Sequence, residues 1–216
     1  MAKGTYRHIA QAWQHSETSG VDELMWGRLI DWRQEGAFTR VEHPTRLDRA
    51  HALGYRAKQG FAVVRTRIRR GGIQKHLFHG GRKARARGLR RITLDKSLRQ
   101  VAEQRVAVHY PNMEVLNSYW VASDGRQHYY EVILVDPEHP SIKSDPKINW
   151  ICEPQHRGRA HRGLTGAGTK SRGLRRKGMG AEHRRPSVKK GHRRARRGHI
   201  RKDHQQRRYD NVKHPK

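Results

Sequence analysis

Residues 163–180 read GLTGAGTKSRGLRRKGMG, and glycines at this density around Lys170-Ser171 and five basic side chains admit two phosphate chemistries. The first is a loop closed around one nucleotide. It requires Gly, four residues and then Gly-Lys-Ser/Thr, entered from an apolar strand and leaving into a helix, so that N–H groups and the lysine converge on a polyphosphate. Gly163 and Gly168 have that separation, but Thr169 stands where the lysine is needed and Lys170-Ser171 come one residue late. The preceding HRGRAHRGL is no apolar strand, and Gly166 and Gly168 lack the third glycine of a dinucleotide loop. The second chemistry is backbone laid along a polyphosphate chain. Glycine removes the side chain that would hold the backbone off a groove and leaves N–H donors open to phosphate oxygens. The triplet Arg-Gly-Leu recurs at 87–89, 162–164 and 172–174, twice followed by Arg-Arg, which suits the second chemistry.

A further cationic array lies in FAVVRTRIRR, residues 61–70. As a strand it places Val64, Thr66 and Ile68 on one face and Arg65, Arg67 and Arg69 on the other. Alternate residues of a strand stand about 6.6 Å apart, a spacing suited to successive phosphates. An edge strand guarded against aggregation needs only one or two charges. Here the arginines continue into RRGGIQKHLFHGGRKARARGLRR, adding Arg70, Arg82, Lys83, Arg85 and Arg87, with Arg175 and Arg176 in the later glycine-rich stretch.

Other chemistries find less support. A single cysteine, Cys152, excludes an intramolecular disulfide, and its apolar setting in INWICEP reads as a structural thiol rather than a nucleophile. The sixteen histidines lie mostly singly, those near the end among arginines whose charge repels a divalent cation, so no metal or other cofactor is expected. No catalytic Ser/His/Asp order or paired carboxylates stand out, and no enzymatic activity or small-molecule substrate is expected.

The whole chain carries 48 Lys and Arg against 19 Asp and Glu, a formal charge of +29 over 216 residues. Residues 1–50 are neutral, 51–100 carry +14, 101–150 carry −3 and 151–216 carry +18. Two segments are ordinary protein and two are polycations. A solvated face interleaves both signs, and these segments do not. Nucleic acid neutralises such density best, because each phosphate contact also releases condensed counterions. No apolar run reaches the about 20 residues that span a bilayer, and no signal or lipidation motif is apparent. A cytoplasmic protein with no membrane partner is expected.

The elements that must position these cations follow from periodicity. YRHIAQAWQH and VDELMWGRLIDWRQEG read as two helices, the second capped by Ser19 and stopped at Gly36. Residues 40–60 are an irregular segment or broken helix leading into the arginine strand. TLDKSLRQVAEQRVAVHYP is an amphipathic helix with Leu94, Leu98, Val101, Ala102 and Val108 toward the core and Ser97/Gln100 spaced as a capping box. MEVLNSYWVASDGRQHYYEVILVDP is a hairpin centred on Asp124-Gly125, pairing Trp120 with Tyr129 and Tyr119 with Tyr130. Both of its faces carry large apolar residues, so it is expected to be covered on both sides and to form core rather than a base-stacking platform. The fold class is α+β, with a globular core over 1–155 that includes basic segments at about 40–60 and 69–91. A basic tail occupies 156–216 and, with 69–91, is expected to order on its partner.

No rigid DNA-reading element is apparent, whereas long basic extensions suit a folded RNA with phosphates on several sides. HPTRLDRAHALGYRAKQG (His43–Gly60), VAEQR (Val101–Arg105), VLNSYWV (Val115–Val121), EVILVDP (Glu131–Pro137) and RGLTGAGTKSRGL (Arg162–Leu174) resemble, in order, the archaeal and eukaryotic large-subunit ribosomal protein fifteen, suffix "e". The DGRQ turn and AFTR connection resemble the archaeal branch. The resemblance implies a small antiparallel sheet between helical layers, embedded in large-subunit rRNA beside neighbouring ribosomal proteins, and a non-enzymatic role. It carries RNA contact onto Arg46, Arg49, Arg56, Lys58, Arg162, Lys170 and Arg172. His43 departs from the arginine common in the family. The competing readings are a chromatin-type architectural DNA-binding protein and an RNA-dependent NTPase or nuclease acting through Lys170 or Ser171.

Overall fold

The structure, a computed structural model, describes residues 4–73 and 93–175. The chain divides into two units, Met1–Ser171 and Arg172–Lys216, and the second enters the described residues only as a turn over 172–175.

In the first unit the two helices form where their periodicity predicts, α1 over Thr5–Gln14 and α2 over Val21–Gln34, although α2 buries Met25 and Trp32 and leaves Leu24 exposed. Ser19 does not cap α2. Its hydroxyl donates to the Ala12 carbonyl at 2.7 Å, and Gly20, at φ +71°, makes the turn between the helices. The hydroxyl thus satisfies an orphan carbonyl at the end of α1. The segment after α2 supplies a short strand β1 (Phe38–Val41) and helix α3 (Leu47–Ala52) before the arginine strand β2 (Phe61–Arg69). Helix α4 (Leu98–His109) opens on Ser97, whose hydroxyl accepts from the Gln100 N–H, as the capping spacing predicts.

Strands β3 (Glu114–Ser123) and β4 (Gln127–Val135) form the hairpin. Its turn is centred one residue later than Asp124-Gly125, on Gly125-Arg126, because Asp124 closes it: its N–H donates to the Gln127 carbonyl at 2.9 Å and its carboxylate accepts from Arg126 and Gln127 N–H groups. A bulge between Trp120 and Ala122 then shifts the ladder, so Trp120 faces Tyr130, Tyr119 faces Glu131 and Ala122 faces Tyr129. The sheet is fully antiparallel in the order β1-β2-β4-β3.

Both faces of the sheet are covered. On one side Val63, Tyr129, Ile133 and Val135 pack against Met25 and Trp32 of α2, Ala50 of α3, and Ile142 of α5 (Pro140–Lys143). On the other Ala62, Val64, Val132 and Leu134 pack against Val106 of α4 and Ala160 of α6 (Arg159–Arg162). Each such large side chain, fully buried, contributes about 1.5–3 kcal/mol. The result is a sheet between two helical layers.

The compact unit runs past residue 155. After short 3-10 turns at Asn149–Cys152 and Pro154–His156, α6 and then α7 (Gly166–Ser171) lie on α4 and β3. Residues 156–171 have few large apolar groups, so composition reads them as tail. They are held instead by polar anchoring and by close backbone packing. Thr165, fully buried, donates its hydroxyl to the Glu103 carboxylate of α4. The glycines turn inward as well: a Cβ on Gly168 would lie 2.5 Å from the Gly163 Cα. Gly163 and Gly168 therefore let two parts of the chain touch each other.

Candidate nucleic-acid interface

The arginine strand delivers its side chains to different surroundings. Arg65 is buried, with its guanidinium 2.6 Å from a Glu35 carboxylate oxygen and 4.1 Å over the Trp32 ring. It lies on the face that α2 covers, so its charge is neutralised inside the protein and the row of three is broken. Arg67, half-buried, donates to the Arg33 carbonyl at 2.9 Å. Arg69 and Arg70 are exposed at the strand's end, where Arg70 also donates to the Asp124 carbonyl at 2.6 Å.

Those two meet a second element. Lys96, just before α4, and Arg105, in its second half, come to the end of β2, and together the four cations border a groove of two adjoining cavities of about 570 and 1010 Å³. Leu94, Lys96, Val101 and Arg105 line both cavities. His109 lines the smaller one, its ring stacked on Phe38 with centroids 4.7 Å apart and planes 17° apart. Among the described residues, neither cavity is lined by an Asp or Glu. Among the described residues Arg69, Lys96 and Arg105 form no ion pair.

The positions carried by resemblance are dispersed. Arg46 pairs with Asp48 at 3.2 Å and lies 4.5 Å over Trp13, held there because Glu131 grips the adjacent Thr45. That carboxylate, fully buried, accepts from the Thr45 N–H and hydroxyl and from the Tyr119 hydroxyl. Burial pushes the Glu131 carboxyl above the usual range against those bonds, and pushes the Tyr119 phenol up as well, aided by the neighbouring carboxylate. Lys58 lies 2.5 Å from Asp145 and donates to the Ser141 carbonyl. Arg49 and Arg56 are exposed, the latter donating to the Tyr55 carbonyl. Arg162 is exposed but donates to the Gln155 and Arg157 carbonyls, tying down the turn before α6. Lys170 is exposed at the end of α7, within helix rather than a phosphate loop. Arg172 and Arg175 are exposed in the second unit. Arg82, Lys83, Arg85, Arg87 and Arg176 lie outside the described residues, as does 74–92 of the basic stretch at 69–91.

Arg105 escapes a reading by charge density because it sits in the acidic segment 101–150, and Lys96 because it stands beside Asp95 at the start of the helix rather than in an arginine run. The available signal is helical spacing: Leu98, Val101, Arg105 and Val108 fall along one side of α4. The side that is buried holds Ala102, Glu103 and Val106 instead. Cys152 is half-buried against the main cluster and burial raises its thiol pKa, which disfavours the thiolate. Tyr119, Tyr129 and Tyr130 are core, while Trp120 is 46% exposed. No helix among the described residues is long and apolar enough to cross a membrane.

Residues 4–192 match the protein family described as Ribosomal L15. The chain belongs to the ribosomal L15e family. Two curated relatives, both called large ribosomal subunit protein eL15, are 54% identical over 189 residues in Methanospirillum hungatei and 53% identical over 188 residues in Methanocella arvoryzae. These alignments cover 88% and 87% of this chain and 96% of each relative. The archaeal character expected from DGRQ and AFTR agrees with both organisms. Membership of the L15e family supports a structural role in the ribosome. The family match stops at residue 192 and leaves 193–216 outside it.

Proposed function

We propose that the chain is a structural constituent of the large ribosomal subunit that binds and stabilises folded rRNA through distributed phosphate contacts, beside neighbouring ribosomal proteins and in the cytoplasm. The observation that carries the reading is the partition of charge within a ribosomal-protein chain: +14 in residues 51–100 and +18 in 151–216, against 0 and −3 elsewhere. The neutral and acidic segments supply most of the strands and helices of the core. The cationic segments supply counter-charge for RNA phosphates. Of the strand arginines, Arg69 and Arg70 are the ones offered to phosphate, and Arg65 serves the fold.

Two measurements test this. The protein in a lysate is expected to sediment with large subunits on a sucrose gradient, even in high salt. The purified chain is expected to bind large-subunit rRNA with log K falling linearly against log salt, by about 0.7–0.9 per phosphate contact. A flat salt titration removes the phosphate mechanism. Preference for duplex DNA over structured rRNA selects the architectural DNA-binding reading instead. Nucleotide turnover that survives repeated purification and disappears on substituting Lys170 or Ser171 selects the enzymatic one.

A further inference from the structure

We propose that the groove between the end of β2 and α4 takes one unstacked nucleotide of an RNA strand, its base against the aliphatic floor and its flanking phosphates on the cationic rim. The inference rests on the RNA-binding reading above and adds a site to it.

The floor is Leu94, Val101 and Val108, of which Leu94 is 44% and Val108 71% exposed. Aliphatic side chains left open beside a strongly cationic rim gain stability when something flat and apolar covers them. His109 adds a planar ring to the same wall, fixed by its stack on Phe38. Lys96 is held at the edge by donating to Gln104 Oε1 at 3.1 Å, with Arg105 and His161 beside the same cavity. Arg69 and Arg70 continue the rim along the larger cavity. Apolar floor, flat ring and cations with no carboxylate among the described lining residues match a base carried between phosphates.

Geometry narrows the RNA further. A base inside a duplex has both faces covered by its neighbours and cannot reach the floor. A bulged or looped-out base presents a bare face, and such bases are the ones proteins read by stacking. The smaller cavity, about 570 Å³, falls within the about 300–1,000 Å³ typical of pockets for single small ligands. The inferred site is thus a base pocket with a phosphate track.

The test uses the full chain and two RNA hairpins, identical except that one carries a single-nucleotide bulge, made with adenosine or with uridine. The bulged hairpin is expected to bind about tenfold tighter than the paired one, the scale of one base stacked on protein. Because Val108 is exposed, Val108→Lys and Val108→Glu leave the core intact. Both are expected to bring the two hairpins to parity, while shifting affinity for the paired hairpin in opposite directions. Equal binding of the two hairpins by the unaltered chain overturns the pocket but leaves the RNA-binding reading standing, whereas no binding of either removes both. A preference that persists in both variants also overturns the pocket. So does selective displacement of the bulged hairpin by an oligoglutamate peptide, which assigns the groove to an acidic protein.

Discussion

Glu103 is a carboxylate with no exposure, in the helix that borders the groove, and two hydroxyls converge on it. Ser118 donates to Oε1 at 2.5 Å and Thr165 donates to Oε2, while Arg99 stands 4.0 Å away and the charge of Arg159 is felt as well. Burial dominates and raises the carboxyl above its usual 4.5 despite the hydroxyls and both arginines. A raised acid binds its proton more tightly in the folded than in the unfolded chain. Its contribution to stability is therefore fully present below about 4.5 and is lost as pH rises from there through the raised folded value. Glu103→Gln removes that titration and is expected to flatten the dependence of unfolding free energy on pH above 4.5. Denaturant titrations of the two proteins at matched pH values check it, and parallel pH profiles would rule out Glu103 as the source. The same scale shows where sequence reading stops. Alternation along β2 places Arg65 opposite Val64 correctly, but its partner Glu35 lies 30 residues upstream and its ring partner is Trp32. Neither has a signature in the strand itself, so a buried, neutralised arginine reads as a phosphate contact.

Elements with strong local signals were legible, and those held by unusual packing were not. The first two helices, the arginine strand, the Ser97 cap and the hairpin follow from periodicity and turn chemistry within a dozen residues. The length of α4 was legible but its buried side was not, because its core residues include Glu103 while Leu94 and Val108 are exposed. The region at 156–171 was least legible. It buries Ala160, Thr165, Ala167 and Gly168, too little apolar surface to make a periodic pattern. Its stability depends on closeness: a methyl group on Gly168 would meet the Gly163 Cα at 2.5 Å, its carbonyl carbon at 2.7 Å and its oxygen at 2.9 Å. All three are backbone atoms, so no rotamer change relieves the overlap. Gly168→Ala is expected to destabilise the compact unit by about 1–3 kcal/mol, the usual cost of overpacking. A lowered thermal midpoint, with exchange of the Thr165 and Thr169 amides accelerated, checks it. An unchanged midpoint shows that the backbone yields there without cost.

Across the whole molecule, charge is concentrated most densely toward the end of the sequence. Residues 176–216 contain sixteen Lys and Arg and three Asp and Glu, a net +13, and residues 1–175 carry the other +16. Self-repulsion among so many like charges opposes compaction, while the counterions they displace on RNA favour binding. A chain ending at Arg175 retains the unit Met1–Ser171 entire, including both glycines and the Glu103–Thr165 anchor. It is expected to melt at the temperature of the full chain in the absence of RNA and to bind rRNA with a shallower salt dependence. Every phosphate that the shortened chain no longer neutralises lowers the slope of log K against log salt by about 0.7–0.9, so a segment with sixteen cations has room to change it by several units. The bulge preference, which belongs to the groove at β2 and α4, is expected to survive that truncation. Equal slopes for the two chains would place the phosphate-binding cations within residues 1–175, and disappearance of the bulge preference on truncation would move the base pocket away from the groove.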